Sequence, residues 1–350
     1  MEYDYLIIGG GLSGLTLAYL LKKKGINALI LEGADRTGGR IKTVNGTLGT
    51  PMELGATWFS DAHINLIELL DELGLHKFPQ YNTGLSLFYT RPDQPPQQFY
   101  VPEETSPSYR LAGGTQNLIK NLMGKLEKNT IQLNTKVSKI SAKNEYLYAE
   151  TTDNRIYKAR YIFLCLPPQL AGSDIKFEPS LPENLLSIMP RIQTWMAGSI
   201  KFILEYDQQF WRKAGFSGMI YSNAGIITEM YDHTNYEGNK FGFTGFLHEE
   251  AQQFSQEERK KMVLEQVAHN YGDRALYPLL YEDKIWTGKF LLSGNPIIRL
   301  RHLNNGHPLL QSRYMDDRLF FCATESSPHY PGYMEGAVMV AKNIMKTLGV

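Results

Sequence analysis

The sequence predicts an α/β protein in which a dinucleotide-binding domain, built on a parallel sheet, is interrupted by a second α+β domain. Three observations carry this. Residues 4–31 read as strand, turn, helix and strand in close succession. The turn holds the glycine pattern G-x-G-x-x-G at residues 9–14. An apolar strand and a helix recur at residues 319–323 and 336–347, so the two ends of the chain are expected to complete one sheet.

Each element has a local reason. Residues 4–9 (DYLIIG) are a short apolar run of the kind that forms a strand buried on both faces. Residues 12–24 have helical spacing, lysines in the last turn and Gly25 as a cap. Residues 27–31 (NALIL) supply the second buried strand, and this β-α-β order implies a parallel, right-handed unit. Further along, 63–73 predicts an amphipathic helix ended by Gly74, and the proline-rich 90–107 an irregular loop or an edge hairpin. Helix 117–126, antiparallel strands over 131–163 and strand 200–206 follow. Ser255 with Glu258 forms a capping-box pattern opening helix 255–271. No single linker separates the domains. Residues 1–60, 110–175 and 290–350 are expected in the dinucleotide-binding domain, and 61–109 and 176–289 in the substrate domain.

Composition narrows the function. A length of 350 residues suits two domains. Lys+Arg and Asp+Glu balance at 36 each, so no net field points to nucleic acid or an anionic membrane as partner. The two cysteines, Cys165 and Cys322, lie in apolar stretches without metal-ligand spacing, and are expected to be buried thiols. With no basic, cleavable leader and no apolar run near ~18 residues, the expectation is a cytoplasmic protein without a membrane span. The sequence has no G-x-S-x-G elbow and no H-E-x-x-H, which argues against a serine hydrolase and a zinc hydrolase.

The glycine pattern acquires meaning from its strand-turn-helix setting. Gly9 permits the tight turn, Gly11 lets a pyrophosphate approach the backbone, and Gly14 permits close helix–strand packing. Leu12 and Ser13 open the helix, whose free N–H groups and partial positive charge attract the anion. Glu32 ends the second strand, where a carboxylate accepts hydrogen bonds from the adenosine ribose and repels a 2′-phosphate. These residues alone suit NAD and FAD equally.

The next segments separate the two. Arg36-Thr37-Gly38-Gly39-Arg40 follows the second strand, and Glu53-Leu54-Gly55-Ala56-Thr57-Trp58 comes soon after. With these motifs the chain resembles the flavin-containing amine oxidase family, which includes monoamine, polyamine and L-amino-acid oxidases, over nearly its whole length. The resemblance implies an FAD-binding Rossmann-like domain of the GR2 type. It implies that Arg40 meets the FAD phosphates and that Gly55, Ala56, Thr57 and Trp58 lie along the flavin. Leu111-Ala112-Gly113-Gly114-Thr115 is similar to the family's glycine pair before a nucleotide-side helix, and Val137, in KVSKI, to the valine whose backbone contacts adenine. Residues 163–168 (FLCLPP) and 321–326 (FCATES) are also similar to family segments, the latter placing Glu325 at the ribityl or phosphate oxygens. Residues 331–337 (PGYMEGA) place Met334 at the flavin pyrimidine.

The resemblance also implies a chemistry: hydride transfer from a neutral amine to flavin N5, hydrolysis of the imine, and reoxidation by oxygen to hydrogen peroxide. Lys201 lies ten residues before Trp211, the spacing of the family's lysine that holds a water at flavin N5. Read from its strand alone, Lys201 is a solvated, outward residue. Tyr333 matches one wall of the aromatic cage that guides the amine, and Trp286 a flavin-side tryptophan. Two positions depart from the monoamine oxidase pattern. Asn295 stands where a cysteine bonds covalently to FAD, so non-covalent FAD is expected, and Pro296 stands where the second cage tyrosine belongs. An incomplete cage keeps two other readings open: a superfamily enzyme acting on C–C or ring C–H bonds, such as a desaturase or a protoporphyrinogen oxidase, and a non-catalytic FAD-binding protein.

Overall fold

The strand Glu2–Ile8 lies inside the large sheet. In a computed structural model of the chain, which describes residues 2–102, 107–287 and 302–350, it pairs in parallel with Ala28–Leu31 on one side and Ile156–Leu164 on the other. Its inner residues Leu6, Ile7 and Ile8 are buried, as expected of a strand covered on both faces. The helix Leu12–Lys23 crosses one face, and Met334–Leu348 packs beside it. The strand Leu319–Phe321 joins the sheet in parallel against Ile156–Leu164. The last elements of the chain thus lie on the sheet that the first elements begin.

The long strand Ile156–Leu164 has two partners along its length. Residues 156–159 pair antiparallel with Tyr146–Thr151, whereas 162–164 run parallel to Leu319–Phe321. The expectation of antiparallel strands throughout 131–163 holds for Val137–Lys143 against Tyr146–Thr151 and for the latter against Ile156–Leu164. It fails for Ile131–Gln132, which run parallel to Ala28–Leu31. The chain reaches that edge after the helix Gln116–Lys125, and a helical crossover delivers a parallel strand. Residues 176–192, expected in the substrate domain, also belong with this sheet. Lys176–Glu178 pairs with Val137–Lys143, and Leu185, Met189 and Ile192 pack in one core with Leu6 and Ile8.

A second, seven-stranded sheet has Leu280–Ile285, Ile200–Tyr206, Phe241–Leu247, Ile227–Asp232, Phe216–Ser222, Leu85–Tyr89 and Gln97–Tyr100 in that order. Of the two options for the proline-rich stretch, the edge hairpin is found: Gln97–Tyr100 pairs antiparallel with Leu85–Tyr89 and ends the sheet. The helix Gln256–Tyr271 starts at a complete Ser255/Glu258 capping box and packs Val263 and Val267 into the core of this sheet with Phe202, Leu204 and Trp211.

The strand Ile200–Tyr206 is buried at every residue. One face, with Phe202 and Leu204, meets that helix-side core; on the other, Ile203 packs on Met52 and Leu54, just before the 55–58 segment. Polar residues of this second face are therefore enclosed too. Glu205 accepts hydrogen bonds from the Leu48 amide at 3.1 Å and from the Thr50 hydroxyl.

Candidate active site

The turn after Glu2–Ile8 shapes the first part of the site. Gly9 has φ of +110°, and a Cβ there would stand 2.7 Å from the Cys165 carbonyl oxygen. A Cβ at Gly14 would stand 2.1 Å from the Gly9 oxygen, so the helix approaches the turn only without a side chain there. Gly11 differs. A Cβ there would meet no atom within 4 Å, since this backbone lines a cavity of about 480 Å³. Gly9, Leu12, Ser13, Glu32, Arg40 and Val137 also line it. The helix Leu12–Lys23 begins here without a side-chain cap, which leaves its first N–H groups for an anion.

Glu32 is buried, and its carboxylate is already oriented. Oε2 accepts from the Gly10 amide at 2.6 Å and Oε1 from the Ala34 amide at 2.8 Å. Burial pushes its pKa above the usual carboxylate value, and those amides oppose the shift. The remaining lone pairs suit ribose hydroxyls.

The two arginines of the RTGGR segment differ in role. Arg36 donates to the carbonyls of Thr37, Ile41 and Gly39, at 3.0, 2.9 and 2.5 Å, and so fixes its own loop. Arg40 reaches the cavity wall and pairs with Glu325, with Nη1 2.7 Å from Oε1. Glu325 is fully buried and absent from the described walls of both cavities. A carboxylate withdrawn from water requires its cation, and Glu325 acts on the cavity by fixing Arg40.

Backbone bonds tie the 40–42 and 54–56 segments together: the Leu54 amide donates to the Lys42 oxygen at 2.9 Å and the Ala56 amide to the Arg40 oxygen at 3.0 Å. Gly55, Ala56, Thr57 and Trp58 border a larger cavity of about 810 Å³. The two cavities share Arg40, Ala56, Gly332, Tyr333 and Met334, so they adjoin in one elongated site. Met334 is the first residue of the helix Met334–Leu348, whose N-terminus thus meets the junction. The open space at Gly11 and the adjoining second chamber fit a flavin dinucleotide.

Lys201 is the chemical centre of the larger chamber. It is only 2% exposed, which overturns the solvated reading of its strand. Its Nζ donates to the Gly55 oxygen at 2.8 Å and to the Thr57 hydroxyl, and sits 4.7 Å from the centre of the Trp58 ring. Burial pulls its pKa down to about 7; the buried Glu53 carboxylate opposes that shift and Arg110 adds to it. His233, also buried, is held well below its usual pKa by burial and by the charges of Arg110 and Lys201. With two N–H bonds held by neutral acceptors, a neutral Lys201 keeps a lone pair with which to take a proton.

Trp286 and Tyr333 also line this chamber. Trp286 is buried and donates to the Leu54 oxygen at 2.7 Å. Tyr333 is 38% exposed, with its ring centre 6.0 Å from Trp195 and 5.7 Å from His302. Asn295 and Pro296 lie outside the described residues. Several site residues escaped sequence reasoning. Trp195 is on the chamber wall beside Tyr333, Gln80 accepts from the Trp58 indole at 2.8 Å, and Glu53 and Arg110 set the field at Lys201. Only Glu53, two residues before Gly55, lay within a recognisable motif. Among the described residues, no cluster of acids, cysteines or histidines could hold a metal ion, and no helix is long and apolar enough to cross a membrane.

Comparisons with known proteins agree with this geometry. The family described as flavin containing amine oxidoreductase matches residues 12–101 and 93–344. A probable flavin-containing monoamine oxidase A of Dictyostelium discoideum is 26% identical, over 99% of this chain and 97% of its own length. The human flavin-containing amine oxidase B is 25% identical, over 99% of this chain and 86% of its own. Among solved structures, a putrescine oxidase bound to putrescine superposes with a TM-score of 0.85 at 20% identity, covering 99% of both chains. The cyclohexylamine oxidase of Brevibacterium oxydans gives 0.84 at 19% identity, covering 100% of both.

Two outcomes follow from the site. Gly11→Val puts methyl groups into the cradle, so the purified variant should fold but lack flavin colour; normal FAD content would refute the cradle. The second concerns Lys201. Between pH 7 and 9 the unfolded chain carries a proton on Lys201, whose ordinary pKa is 10.5, that the folded chain has largely lost. The unfolded state then binds more protons, and stability rises with pH across that window. Denaturant unfolding at pH 7 and 9 should show this rise reduced in Lys201→Met. An identical pH dependence in both proteins would exclude the lowered pKa.

Proposed function

The chain belongs to the flavin-containing amine oxidoreductase family, and on that premise we propose how this site oxidises an amine with FAD. When bound, FAD would supply the acceptor for a hydride from the carbon next to a neutral amine nitrogen; water would hydrolyse the resulting imine, and oxygen would take up the two electrons and leave as hydrogen peroxide. The chain's own groups bind, orient and hold protons. Gly11, the helix start at Leu12 and Ser13, and Arg40 bind the pyrophosphate; Glu32 binds the ribose; Val137 lies at the adenine. The 55–58 segment and Met334 hold the ring system.

The observation that carries the reading is the position of Lys201, buried at the wall of the larger chamber and tied to the 55–58 segment. Its uncharged form does not repel a protonated amine, and its Nζ holds or takes a proton beside the reacting centre. Tyr333 and Trp195 offer ring faces to the amine, and Trp286 closes the chamber over Leu54. The named relatives and structural neighbours are all amine oxidases, so desaturation, porphyrinogen oxidation and a silent flavin are not favoured.

FAD is held by contacts alone. The chain has two cysteines; both are buried, and neither is on the described wall of the larger chamber. Buried, unpaired thiols also support a cytoplasmic location.

Anaerobic mixing with amines should bleach the flavin, and Lys201→Met should retain FAD while reduction or reoxidation slows by about 10²-fold or more. Unchanged rates in both half-reactions would remove Lys201 from the mechanism. Acid precipitation should leave a colourless pellet and release all the flavin; a yellow pellet would mean a covalent bond.

A further inference from the structure

The two cysteines of the chain, far apart in sequence, meet at one end of the large sheet. Leu164 is opposite Phe321 in the parallel ladder. The Cys322 amide donates to the Leu164 oxygen at 2.8 Å, which carries the pairing one residue further, to Cys165 and Cys322. Leu164 and Phe321 pack in the core on one face of the sheet, and both cysteines pack in the core on the other, with Leu12, Leu15 and Ala337. Both thiols therefore project from the same face, side by side. Paired strands lie about 4.7–4.9 Å apart, within the Cα separation of about 4.4–6.8 Å that a disulfide bridges. A hydrogen bond with Cys165, and after it burial, holds the Cys322 thiol well above its usual pKa, so Cys322 keeps its proton.

Only one of the pair meets the dinucleotide cavity. Cys165 is on its wall, beside Ala323 and Thr324, and Cys322 is fully buried behind it. The uncapped start of the helix Leu12–Lys23 and the Arg40 guanidinium make this cavity attractive to negative charge, which favours a thiolate at Cys165 rather than at Cys322. The glycine turn rests on the same residue. The Cys165 oxygen leaves no room for a Cβ at Gly9, and the Cys165 Cβ lies 3.3 Å from where one at Gly14 would stand.

We propose that Cys165 and Cys322 are a modification site: in the FAD-free chain hydrogen peroxide oxidises them to a disulfide, and that disulfide hinders the return of FAD. The inference rests on the FAD and the peroxide of the amine-oxidising reading above. The Cys165 thiolate attacks one peroxide oxygen, the O–O bond breaks, and the departing hydroxide becomes water. The Cys322 sulfur then attacks the sulfenic sulfur of Cys165 and displaces a second water. The two sulfurs lose two electrons, the peroxide gains them, and the two thiol protons end in the two waters. With FAD bound, Cys165 is covered and the first step is blocked. Closing the sulfur–sulfur bond draws Cys165 towards Cys322, and the turn that rests on Cys165 is displaced from the geometry that receives the pyrophosphate.

The test compares three full-length samples: the FAD-loaded chain, the same chain freed of FAD by dialysis against a chaotropic salt, and the Gly11→Val chain. Circular dichroism establishes that each is folded. Each is treated with hydrogen peroxide, its remaining thiols are blocked, and peptide masses read the Cys165–Cys322 bond as the loss of two hydrogens. Both FAD-free chains should form the bond about tenfold faster than the loaded chain, or more. The oxidised wild-type chain should rebind FAD about tenfold more weakly, or worse, and dithiothreitol should restore the affinity. Cys322→Ser should take up FAD normally and form no bond within the chain. Free thiols surviving in the folded FAD-free chains, a rate indifferent to FAD, or an undiminished affinity after oxidation would overturn the proposal. Failure of the amine-oxidising reading is distinguishable, because the peroxide is added: amines would leave the flavin unbleached while the FAD-dependent thiol oxidation persisted.

Discussion

The site depends on one constraint, the burial of the Lys201 side-chain amine. A lysine 2% exposed on an inner strand cannot be solvated by water. Its hydrogen bonds must come from protein, and they come from the 55–58 segment. That segment is in turn fixed to 40–42 by backbone bonds, and 40–42 follows the loop that Arg36 holds from within. One buried amine thus connects the second sheet to the loops that border the cavities. The same burial lowers its pKa, which turns a structural expense into a group able to exchange protons near neutral pH.

A second connection closes the molecule from the other end. Arg40 comes early in the chain and Glu325 late, yet Arg40, at the junction of the two cavities, pairs with the fully buried Glu325 behind it. Leu319–Phe321 and Met334–Leu348 bring Glu325, Tyr333 and Met334 to that point by joining the sheet begun at Glu2–Ile8. The N-terminal glycine turn and the C-terminal helix can therefore bind one extended ligand, because the chain's ends share a sheet. Glu325 needs this pairing, since without Arg40 it would be an uncompensated buried charge.

Much of this was legible in the sequence. The opening unit announces itself through an apolar strand, a glycine turn and basic residues at a helix end, all of them local signals. The capping box at Ser255 is local too. Residues 131–132 were misread because strand direction depends on the path between strands, which alternation of side chains does not encode. Lys201 was ambiguous for a similar reason. Its neighbours alternate as they would on a half-exposed strand, and only the packing of Met52 and Leu54 on Ile203 encloses that face. The Arg40–Glu325 pair was not legible, because a motif does not specify which partner a charge will choose. Trp195 and Arg110 have no signal of their own; they join the site through packing across distant segments.

The most direct measurement of the central claim is a crystal structure of the FAD-loaded protein. One FAD is expected along the joined cavities, with ribose hydroxyls on Glu32, pyrophosphate at Gly11 and Arg40, and the isoalloxazine ring between the 55–58 segment and Met334, facing Lys201. A ring bound elsewhere, or a Lys201 side chain turned away from it into solvent, would refute that arrangement.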